Sequence, residues 1–368
     1  MKLLMLAAGS SIHTARWVNG LVEAGLSVTL ATQHAVSHPL DDAVDVIELP
    51  NRGNPSYFFS APKLRRLAEK LRPDLLNAHF ASGYGTTARF MHRHPYVLSV
   101  WGSDVFSFPE RSALHRWLVV RNLKAADVIA STSRVMADRV RALYPAAGDI
   151  PVTPFGIDLE LFADVPDLPT DNDGPITIGT VKAMEDTYGV DTLIEAFARL
   201  RGDLSAAGDP IAQRLVLRLV GGGSRRAELE QRAQRLGLGD SVTFVGQVPH
   251  SAVPAEIGKL DVFVALSRQE SFGVAVLEAG AAGRPVVVSD ADGLVEVVQH
   301  GQTGLVVPRE DVVGAAEALR ELIENPEQRQ ALGSAGREQV STGYGWDQSV
   351  SKMLEVYDSA LTARRAAQ

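Results

Sequence analysis

Two carboxylates bracket a short helical segment in the second half of the chain. Glu270 precedes the predicted helix, and Glu278 lies two turns along it among Val, Ala, Leu and Gly. Ser271, Phe272 and Gly273 are expected to form the first turn, whose unpaired N–H groups attract phosphate oxygens. At about 1.5 Å per residue the carboxylates lie roughly 12 Å apart, comparable to the reach from a sugar ring to a ribose across a diphosphate. This arrangement predicts a nucleotide-sugar site.

Each carboxylate also has a simpler interpretation. Glu270 alone could cap a helix, and Glu278 alone could be a buried acid paired with an arginine such as Arg284. Charged side chains rarely lie on a buried apolar element without a partner. Neither simple interpretation explains why the two carboxylates occur together, so a shared ligand is favoured.

Hydrophobic periodicity predicts the elements that position these residues. Short apolar runs alternate with amphipathic helical segments throughout the chain, which is typical of α/β proteins with parallel sheets covered on both faces. Ligands of such doubly wound sheets bind outside the carboxyl ends of the strands. The predicted strands are KLLMLAA, SVTLAT, VDVIELP, DLLNAHFA, YVLSVWG and DVIAST in the first half and ITIGTV, RLVLRLVGG, SVTFVGQV, DVFVALS, RPVVVSD and GLVVP in the second.

Residues 164–175, rich in Asp and Pro, predict a linker between two domains. A Rossmann-like domain that binds the acceptor is expected over residues 1–165, and a second one that binds the nucleotide-sugar over residues 166–345. Residues 346–368 predict one more amphipathic helix, which is expected to cross back to the first domain. Function is therefore expected in the loops that follow the strands.

The composition is that of an ordinary globular chain, with 45% hydrophobic and 22% charged residues among 368, a length that favours two domains. The absence of Cys excludes disulfides and thiol nucleophiles and fits the cytoplasm. No run of 18 apolar residues predicts a membrane-spanning helix, and the apolar run after Lys2 is interpreted as a buried strand instead of a signal peptide. Residues 1–160 carry 17 Lys and Arg against 14 Asp and Glu, whereas the remainder carries 19 against 30, so the first half is mildly basic and the second acidic.

Two further loops at strand ends have a composition suited to ligand binding. Gly222 lies in a glycine cluster between a strand and a helix, where a backbone can approach a phosphate. A tight turn is an equal interpretation, because the GxGxxG pattern is absent. Val248 and Pro249 follow another strand, in a turn whose backbone groups suit the edge of a nucleobase.

The stretch ESFGVAVLEAGAAGRPVVVSDADGLVEVVQHGQTGLVV closely resembles the donor-site signature of retaining glycosyltransferase family 4, whose members have the GT-B fold. The resemblance continues in order through PFGIDLELF, GTVKAMEDTYGVDTLIEAF, LVGGGSRRAELE, VTFVGQVP and the closing Trp-Asp helix. It implies two Rossmann-like domains facing each other across a cleft. It also implies transfer of a hexose or N-acetylhexosamine from a nucleoside diphosphate to a hydroxyl of a glycan or lipid-linked acceptor, with retention of anomeric configuration.

The resemblance implies roles for residues of this sequence. Glu278 is expected to hold the ribose hydroxyls and Glu270 the hydroxyls of the transferred sugar, while Val248 and Pro249 lie nearest the base. The residues expected at the diphosphate are Gly9, Ser10 and Ser11 in the first domain and Gly222, Ser271, Phe272, Gly273 and Val274 in the second.

The sequence departs from the family pattern at the diphosphate. Thr180 and Thr187 occupy positions where members usually have an Arg and a Lys. Two phosphate charges need at least one fixed cation, so Lys182 is expected to take over, assisted by Arg268. A lysine on the solvated surface is the alternative.

A second departure lies near the reacting carbon, where Trp101 replaces a His that many relatives carry. Asp104, His79 and His13 remain as polar candidates for catalysis, and each could equally be an ordinary loop residue. Asp-x-Asp pairs occur at residues 171–173, within the linker, and at residues 290–292, after a strand and without other acidic ligands. No metal, cofactor or nucleic acid is expected, and the donor and acceptor are the expected partners.

Basic and aromatic segments of the first half suggest contact with an anionic membrane that carries a lipid-linked acceptor. They are residues 61–73, with an aromatic run just before them, and residues 106–121. A solvated helix face is an equal interpretation. The expectation is a cytoplasmic protein at the inner face of the membrane, acting in cell-surface polysaccharide or lipopolysaccharide synthesis.

Other functions stay open at the level of sequence. A nucleotide-sugar epimerase or a phosphorylase-like enzyme would share the fold. A non-catalytic nucleotide-sugar sensor would fit the missing Arg and His. Substitution of Glu270 or Lys182 should reduce turnover strongly if transfer takes place.

Overall fold

The computed structural model describes residues 1–169 and 174–366. These form two compact units, one from Met1 to Gly156 together with the described residues from Asp347 onward, and one between Ile157 and Trp346. The predicted boundary at residue 165 falls inside the second unit. Part of the predicted linker, including the Asp-x-Asp pair at residues 171–173, lies outside the described residues.

Each unit contains one six-stranded parallel sheet among its described residues. The first sheet has the order β3-β2-β1-β4-β5-β6, with strands β1 (Lys2–Leu6), β2 (Ser27–Thr32), β3 (Asp45–Glu48), β4 (Leu75–His79), β5 (Tyr96–Val100) and β6 (Val128–Ser131). The second has the order β12-β11-β10-β7-β8-β9, with strands β7 (Ile176–Val181), β8 (Leu215–Val220), β9 (Val242–Gly246), β10 (Val262–Ala265), β11 (Val286–Ser289) and β12 (Gly304–Val307).

Helices connect the strands of each sheet. In the first unit they are α1 (Ile12–Glu23), α2 (Ser56–Phe59), α3 (Ala61–Leu71), α4 (Gly83–Met91), α5 (Ser107–Glu110), α6 (Ala113–Leu123) and α7 (Arg134–Leu143). The later ones are α8 (Val190–Ala206), α9 (Arg226–Arg235), α10 (Val253–Gly258), α11 (Val274–Ala281), α12 (Asp292–Val297), α13 (Val312–Glu324), α14 (Pro326–Gly343) and α15 (Trp346–Ala366). Among the described residues, no helix is both long and apolar enough to cross a bilayer.

The strand order explains where ligands can bind. In both sheets the order reverses between the first and fourth strands, which are β1 and β4 in one unit and β7 and β10 in the other. The central strands are buried along their whole length, as expected for parallel strands covered on both faces. The strand order reverses between two neighbouring strands. The loops after these two strands therefore run in opposite directions and leave a crevice between them. The predicted α/β fold with two doubly wound sheets is confirmed.

The terminal helix α15 packs within the first unit. Val350, Met353, Tyr357 and Ala360 are buried at helical spacing along one face. The Tyr357 hydroxyl donates a 2.9 Å hydrogen bond to Oδ1 of Asn77 in β4. The chain therefore returns to the first unit after completing the second.

Candidate functional site

The loops after β7 and β10 meet because these strands are neighbours at the centre of the second sheet. Lys182 directly follows β7, and Glu270 lies in the loop after β10. Their side chains form an ion pair and are only 7% and 14% exposed, respectively. The Oγ of Ser267 lies 3.4 Å from both Nζ of Lys182 and Oε2 of Glu270. The two charges that the sequence assigned to different parts of a ligand therefore contact each other directly.

Tyr188 completes this cluster. The Nζ of Lys182 lies 4.3 Å from the centroid of the Tyr188 ring, which is a cation–π geometry. Burial, together with the carboxylates of Glu270 and Glu185, raises the pKa of the Tyr188 hydroxyl, so this hydroxyl is neutral at pH 7. A lysine in solvent is the wrong interpretation of Lys182, because its charge is buried and balanced by a carboxylate.

The helix after Glu270 begins later than predicted. The first residue of α11 is Val274, and Gly273 has φ 99° and ψ 44°, a left-handed conformation outside the helix. The prediction that Ser271, Phe272 and Gly273 form the first turn is therefore wrong. Glycine adopts this conformation without steric penalty, and the residue type alone did not reveal it. The N–H groups that lack an intrahelical acceptor are those at the start of α11, before the bond from Val276 N to Gly273 O.

A second glycine fixes the loop that precedes α11. Gly293 donates a 3.0 Å backbone hydrogen bond to the Glu270 carbonyl oxygen. A Cβ on Gly293 would lie 2.4 Å from the Phe272 nitrogen, closer than real contacts allow. The start of α12 therefore holds the loop of residues 270–273 in place, and the Gly of the DADG stretch has a packing role.

Glu278 lies one turn into α11 and is half-buried. Arg284, the partner considered from the sequence, instead donates through Nη2 to the carbonyl oxygens of Pro166 at 2.6 Å and Gly258 at 2.9 Å. Its Nε and Nη1 have no hydrogen-bond partner among the described residues. The pairing of Glu278 with Arg284 is therefore wrong, and the ribose role of Glu278 stays a prediction.

The glycine cluster after β8 packs against the loop that carries Lys182. A Cβ on Gly221 would lie 1.9 Å from the Lys182 carbonyl oxygen, whereas a Cβ on Gly222 would approach nothing closer than 3.6 Å, at Gln247. Gly221 also has φ 139°, in the range that favours glycine. Gly221 is thus required for packing, whereas Gly222 has room for an added methyl group, and its contact with a phosphate stays a prediction.

Alanine substitutions separate these two roles. Gly221→Ala is expected to lower the free energy of unfolding by about 3 kcal/mol or more, because overpacking adds to a strained backbone. Gly222→Ala should change it by less than about 1 kcal/mol. Urea denaturation of both variants measures the difference, and equal losses would contradict the packing role of Gly221.

The turn after β9 stays at the surface. Val248 is half-buried and Pro249 is exposed, two residues and more beyond the end of the strand at Gly246. Both lie at the carboxyl end of the second sheet, on the same edge as the Lys182 and Glu270 loops. Their contact with a base stays a prediction.

The Arg268 guanidinium is engaged in a network of hydrogen bonds with carboxylates of the second unit. Its guanidinium makes two hydrogen bonds to the Asp191 carboxylate, at 3.0 and 2.9 Å, and a third to Glu310 at 2.9 Å. Burial alone would raise the pKa of Asp191, but Arg268 and Arg225 lower it. The Arg268 backbone N–H donates to the Thr187 carbonyl oxygen at 2.8 Å. Arg268 therefore joins the loops around Lys182, and its assistance at a diphosphate stays a prediction. Asp191 was not recognised from the sequence.

The Gly9–Ser11 turn follows β1 at the reversal point of the first sheet. Gly9 is buried, and a Cβ there would lie 2.8 Å from the His34 carbonyl oxygen. Its N–H donates to Oγ1 of Thr32 at 2.8 Å. Ser10 is exposed, and Ser11 is the residue before α1, without a side-chain cap. The turn is held by packing at Gly9 and presents Ser10 to solvent.

Asp104 is a positioning residue. It is 1% exposed, and its carboxylate accepts hydrogen bonds from the N–H groups of Ala81 at 2.7 Å, Gly102 at 2.9 Å and Trp101 at 3.2 Å. Burial raises the pKa of Asp104 although these bonds act to lower it. With both oxygens engaged in joining the loops after β4 and β5, Asp104 is not available as the predicted catalytic group.

Trp101, at the position of the family's usual His, lies in an aromatic cluster of the first unit. Its ring is 8% exposed and its centroid lies 4.4 Å from that of His79, 5.1 Å from that of Phe80 and 5.2 Å from that of Phe155. His13 is half-buried and stacks on Phe155 with a centroid distance of 4.1 Å. Packing therefore holds both His residues, and a catalytic role of His13 stays a prediction.

His79 belongs to the core. It is 0% exposed, its Nε2 lies 3.0 Å from Oδ1 of Asn77, and its Nδ1 has no hydrogen-bond partner in the part of the chain that the structure describes. Burial lowers the pKa of His79 to about 3. The interpretation of His79 as a polar residue facing a ligand is therefore wrong.

This burial predicts a pH dependence of stability. Below the unfolded-state pKa of about 6.5, His79 is protonated in the unfolded chain but stays neutral in the folded chain. The free energy of unfolding therefore falls as the pH drops toward 3. The His79→Gln variant keeps a donor to Asn77 but does not titrate. Between pH 7.5 and pH 5 the native chain should lose about 2 kcal/mol more unfolding free energy than the variant. Parallel pH profiles in urea denaturation would contradict a neutral buried His79.

The second Asp-x-Asp pair, Asp290 and Asp292, is paired with the side chain of Arg309. Nε of Arg309 lies 3.0 Å from Asp290 Oδ1, and Nη2 lies 3.4 Å from Asp292 Oδ1. Among residues 1–169 and 174–366, no group of three or more His, Asp or Glu side chains is arranged to hold a metal ion. The arrangement at residues 290–292 is an arginine-linked loop.

Family models match both units of the chain. The model described as "Glycosyl transferases group 1" matches residues 167–339, and the model described as "Glycosyl transferase 4-like" matches residues 2–133. A D-inositol 3-phosphate glycosyltransferase of Catenulispora acidiphila is 34% identical over 258 residues, which are 66% of this chain and 60% of that protein. The chain spans about three-fifths of the length of the curated relatives that it matches.

Solved structures share the fold. A sucrose-phosphate synthase of Thermosynechococcus elongatus superposes with a TM-score of 0.82 at 23% identity, covering 99% of this chain and all of that one. The HepE protein of Anabaena, solved in complex with UDP and glucose, gives 0.76 at 21% identity, covering 98% of this chain and all of that one. At such identities the likeness concerns the fold, which is the GT-B fold implied by the sequence resemblance.

Proposed function

Because the chain belongs to the family 4 glycosyltransferases of the GT-B fold, we propose that it transfers a sugar from a nucleoside diphosphate to an acceptor hydroxyl. The observation that carries the proposal is the buried Lys182–Glu270 pair beside the start of α11. A cation, a carboxylate and helix N–H groups converge there at the reversal point of the sheet. Such a set matches the charges and hydroxyls of an activated sugar.

Each part of the proposed donor has a counterpart in the second unit. The N–H groups at the start of α11 bind the diphosphate, with Gly222 close to it. Glu278, one turn along, accepts hydrogen bonds from the ribose hydroxyls. Glu270 accepts hydrogen bonds from the sugar, and Val248 and Pro249 lie against the base.

Lys182 has a double role in this proposal. In the unliganded protein it neutralises Glu270. A diphosphate carries more charge than one carboxylate, so Lys182 can share its three N–H donors between Glu270 and a phosphate oxygen. The bond from the anomeric carbon to the diphosphate breaks as negative charge develops on the leaving oxygen, and a fixed cation stabilises that charge.

Retention of configuration is part of the proposal. The acceptor oxygen forms its bond to the anomeric carbon on the face from which the diphosphate departs, and the departing phosphate oxygen takes the acceptor proton. No carboxylate nucleophile of the glycosidase type is then required. Glu270 is not proposed as a nucleophile, because its carboxylate pairs with Lys182. The transfer is proposed to proceed without a metal ion or cofactor.

The proposed donor sugar is a hexose or N-acetylhexosamine, and the acceptor is a glycan or a lipid-linked glycan of the cell surface. A relative acts on D-inositol 3-phosphate by name, and a structural neighbour was solved with UDP and glucose. Both names support a nucleotide-sugar donor and a polyhydroxylated acceptor.

The first unit supports a peripheral membrane contact. Leu64 and Ala68 of α3 are buried, while Lys63, Arg65 and Arg66 are exposed. The side chain of Phe59, just before α3, is 79% exposed. Cations with an exposed aromatic residue are attracted to anionic lipid surfaces, so we place the protein at the cytoplasmic face of a membrane.

A thermal-shift panel of UDP, GDP, ADP and TDP sugars tests the donor. A ligand at a hundred times its Kd stabilises the folded chain by about 2.7 kcal/mol, so one base should raise the Tm clearly above the others. The stabilising donor, radiolabelled, should then release free nucleoside diphosphate when a sugar acceptor is present. Conversion of the donor without an acceptor would instead indicate an epimerase, and binding without turnover would indicate a sensor.

A further inference from the structure

A cavity of about 590 Å³ lies in the first unit. Its wall is formed by the ends of α4 and α6 and by the beginning of β5 at Tyr96. Because the strands are parallel, the beginning of β5 is at the opposite edge of the sheet from the Gly9–Ser11 turn. The cavity is therefore distinct from the crevice where a donor is expected.

The lining of the cavity is cationic. Arg89, Arg93, Arg121 and Lys124 all line it, together with His92 and His94, and no Asp or Glu does. In the part of the chain that the structure describes, none of the four permanent cations forms a salt bridge. Arg93 donates to the Pro73 carbonyl oxygen at 2.6 Å instead. Burial and the neighbouring charge of Arg121 lower the pKa of Arg89, so these cations repel one another.

Helix dipoles explain only part of this charge. Arg89 and Arg121 lie in the last turns of α4 and α6, where cations offset the negative helix ends. Arg93 lies beyond the end of α4, and Lys124 is the residue that ends α6. The charge thus exceeds what two helix ends require, and an anion would remove the repulsion.

Tyr96 supplies an independent indication of a ligand. Its side chain is 1% exposed and lines the cavity, and its hydroxyl has no hydrogen-bond partner within residues 1–169 and 174–366. Buried hydroxyl groups nearly always have a partner, because an unpaired one has lost its hydrogen bonds to water without replacement. The hydroxyl oxygen is closed off from solvent in the unliganded chain, so a phosphate oxygen in the cavity would accept this bond after a shift of the Tyr96 side chain toward it.

The remaining walls are aromatic. Phe90 and Trp117 are 41% and 55% exposed. The Arg89 guanidinium lies 4.6 Å from the centroid of the Phe90 ring, and the Arg121 guanidinium lies 6.0 Å from that of Trp117. These contacts hold the guanidinium groups at the cavity. The volume falls within the range of pockets for organic ligands, so a phosphate bound here has room for an attached organic group.

We propose that this cavity binds the phosphate or diphosphate group of an organic phosphate, at a site separate from the sugar donor. Arg89, Arg121 and Lys124 bind the phosphate oxygens, and the Tyr96 hydroxyl donates one further hydrogen bond. Phe90 and Trp117 contact the organic part. This site does not depend on the proposed transfer reaction, since it lies at the other edge of the sheet.

Hydrogen–deuterium exchange of the full chain with inorganic pyrophosphate tests the site. Pyrophosphate should protect residues 88–96 and 117–125 in a saturable manner. The R89Q/R121Q variant should weaken this protection by about tenfold or more, because it removes charge-assisted hydrogen bonds from two guanidinium groups. The R364Q/R365Q variant, which removes the same charge from the exposed end of α15 in the same unit, should bind like the native chain. Protection at the start of α11 reports the donor site separately.

Tyr96→Phe adds a readout that a structural role would not give. Removal of an unpaired hydroxyl should leave the Tm unchanged or raised, while pyrophosphate binding weakens severalfold. Absence of saturable protection in either segment, or equal weakening by both arginine pairs, would overturn the proposal.

Vesicles identify the source of the phosphate. Protection of the same segments by mixed phosphatidylglycerol and phosphatidylcholine vesicles, but not by pure phosphatidylcholine, would support the site with a lipid headgroup as its ligand. Protection by pyrophosphate alone would support it with a soluble phosphate ester. Vesicle protection that R89Q/R121Q leaves unchanged would show that the membrane contacts another surface, and would count against this cavity.

Discussion

Replacement of Lys182 by Met is expected to reduce kcat about 10²–10³-fold, because a fixed cation at the leaving diphosphate is lost. The same change should lower the free energy of unfolding by about 3–5 kcal/mol, because it leaves the nearly buried Glu270 carboxylate without its partner. Steady-state kinetics with the donor from the thermal-shift panel and urea denaturation measure the two effects. Assays well below the Tm of the variant keep them separate.

The double variant Lys182→Met/Glu270→Gln distinguishes catalysis from stability. With neither charge present, most of the lost stability should return, since a neutral pair needs no counter-charge. Activity should stay low. Arg218→Met is a matched control, because it breaks another partly buried ion pair of the second unit, with Glu256, and should keep kcat near the native value. Recovery of transfer together with stability in the double variant would contradict a chemical role for Lys182.

Glu278→Gln is expected to raise the Kd of the donor about 10–100-fold, with kcat reduced much less. A carboxylate that accepts two ribose hydroxyls makes charge-assisted bonds worth about 1.5–3 kcal/mol each, and an amide keeps only part of that energy. A loss of affinity at unchanged kcat indicates binding that is equal in the ground and transition states. Isothermal titration with the donor and initial-rate kinetics measure the two quantities.

A matched exposed glutamate provides the control. Glu317, on the solvent side of α13 in the same unit, should tolerate Gln without change in donor affinity. The deoxyribose form of the donor should lose affinity for the native chain, and lose little more in Glu278→Gln. If removal of the ribose hydroxyl lowered the affinity equally in the native chain and in Glu278→Gln, Glu278 would not bind the ribose.

The fold was accessible from the sequence because its signals are local and repeated. Each of the twelve apolar runs corresponds to a strand, and alternation with helices fixes a parallel sheet whose connections permit few orders. The position of the Lys182 and Glu270 loops at the strand ends follows from the same topology. Their direct contact does not, because residues far apart in sequence meet only through the pairing of β7 with β10.

The errors at the site have a common physical origin. The start of α11 was misplaced since it depends on the φ angle of Gly273 and not on residue type. Asp104 and His79 have the composition of catalytic groups but are buried by long-range packing, which single-sequence patterns do not reveal. Tyr188, Asp191 and Ser267 were overlooked because their roles depend on side-chain contacts across loops.

A crystal structure of the chain with its nucleotide-sugar tests the central claim most directly. The account predicts the Glu278 carboxylate within hydrogen-bond distance of both ribose hydroxyls. It also predicts the diphosphate at the N–H groups that begin α11, with Lys182 turned toward a phosphate oxygen. A donor bound elsewhere, with Lys182 and Glu270 still paired and Glu278 held by protein groups, would contradict the account.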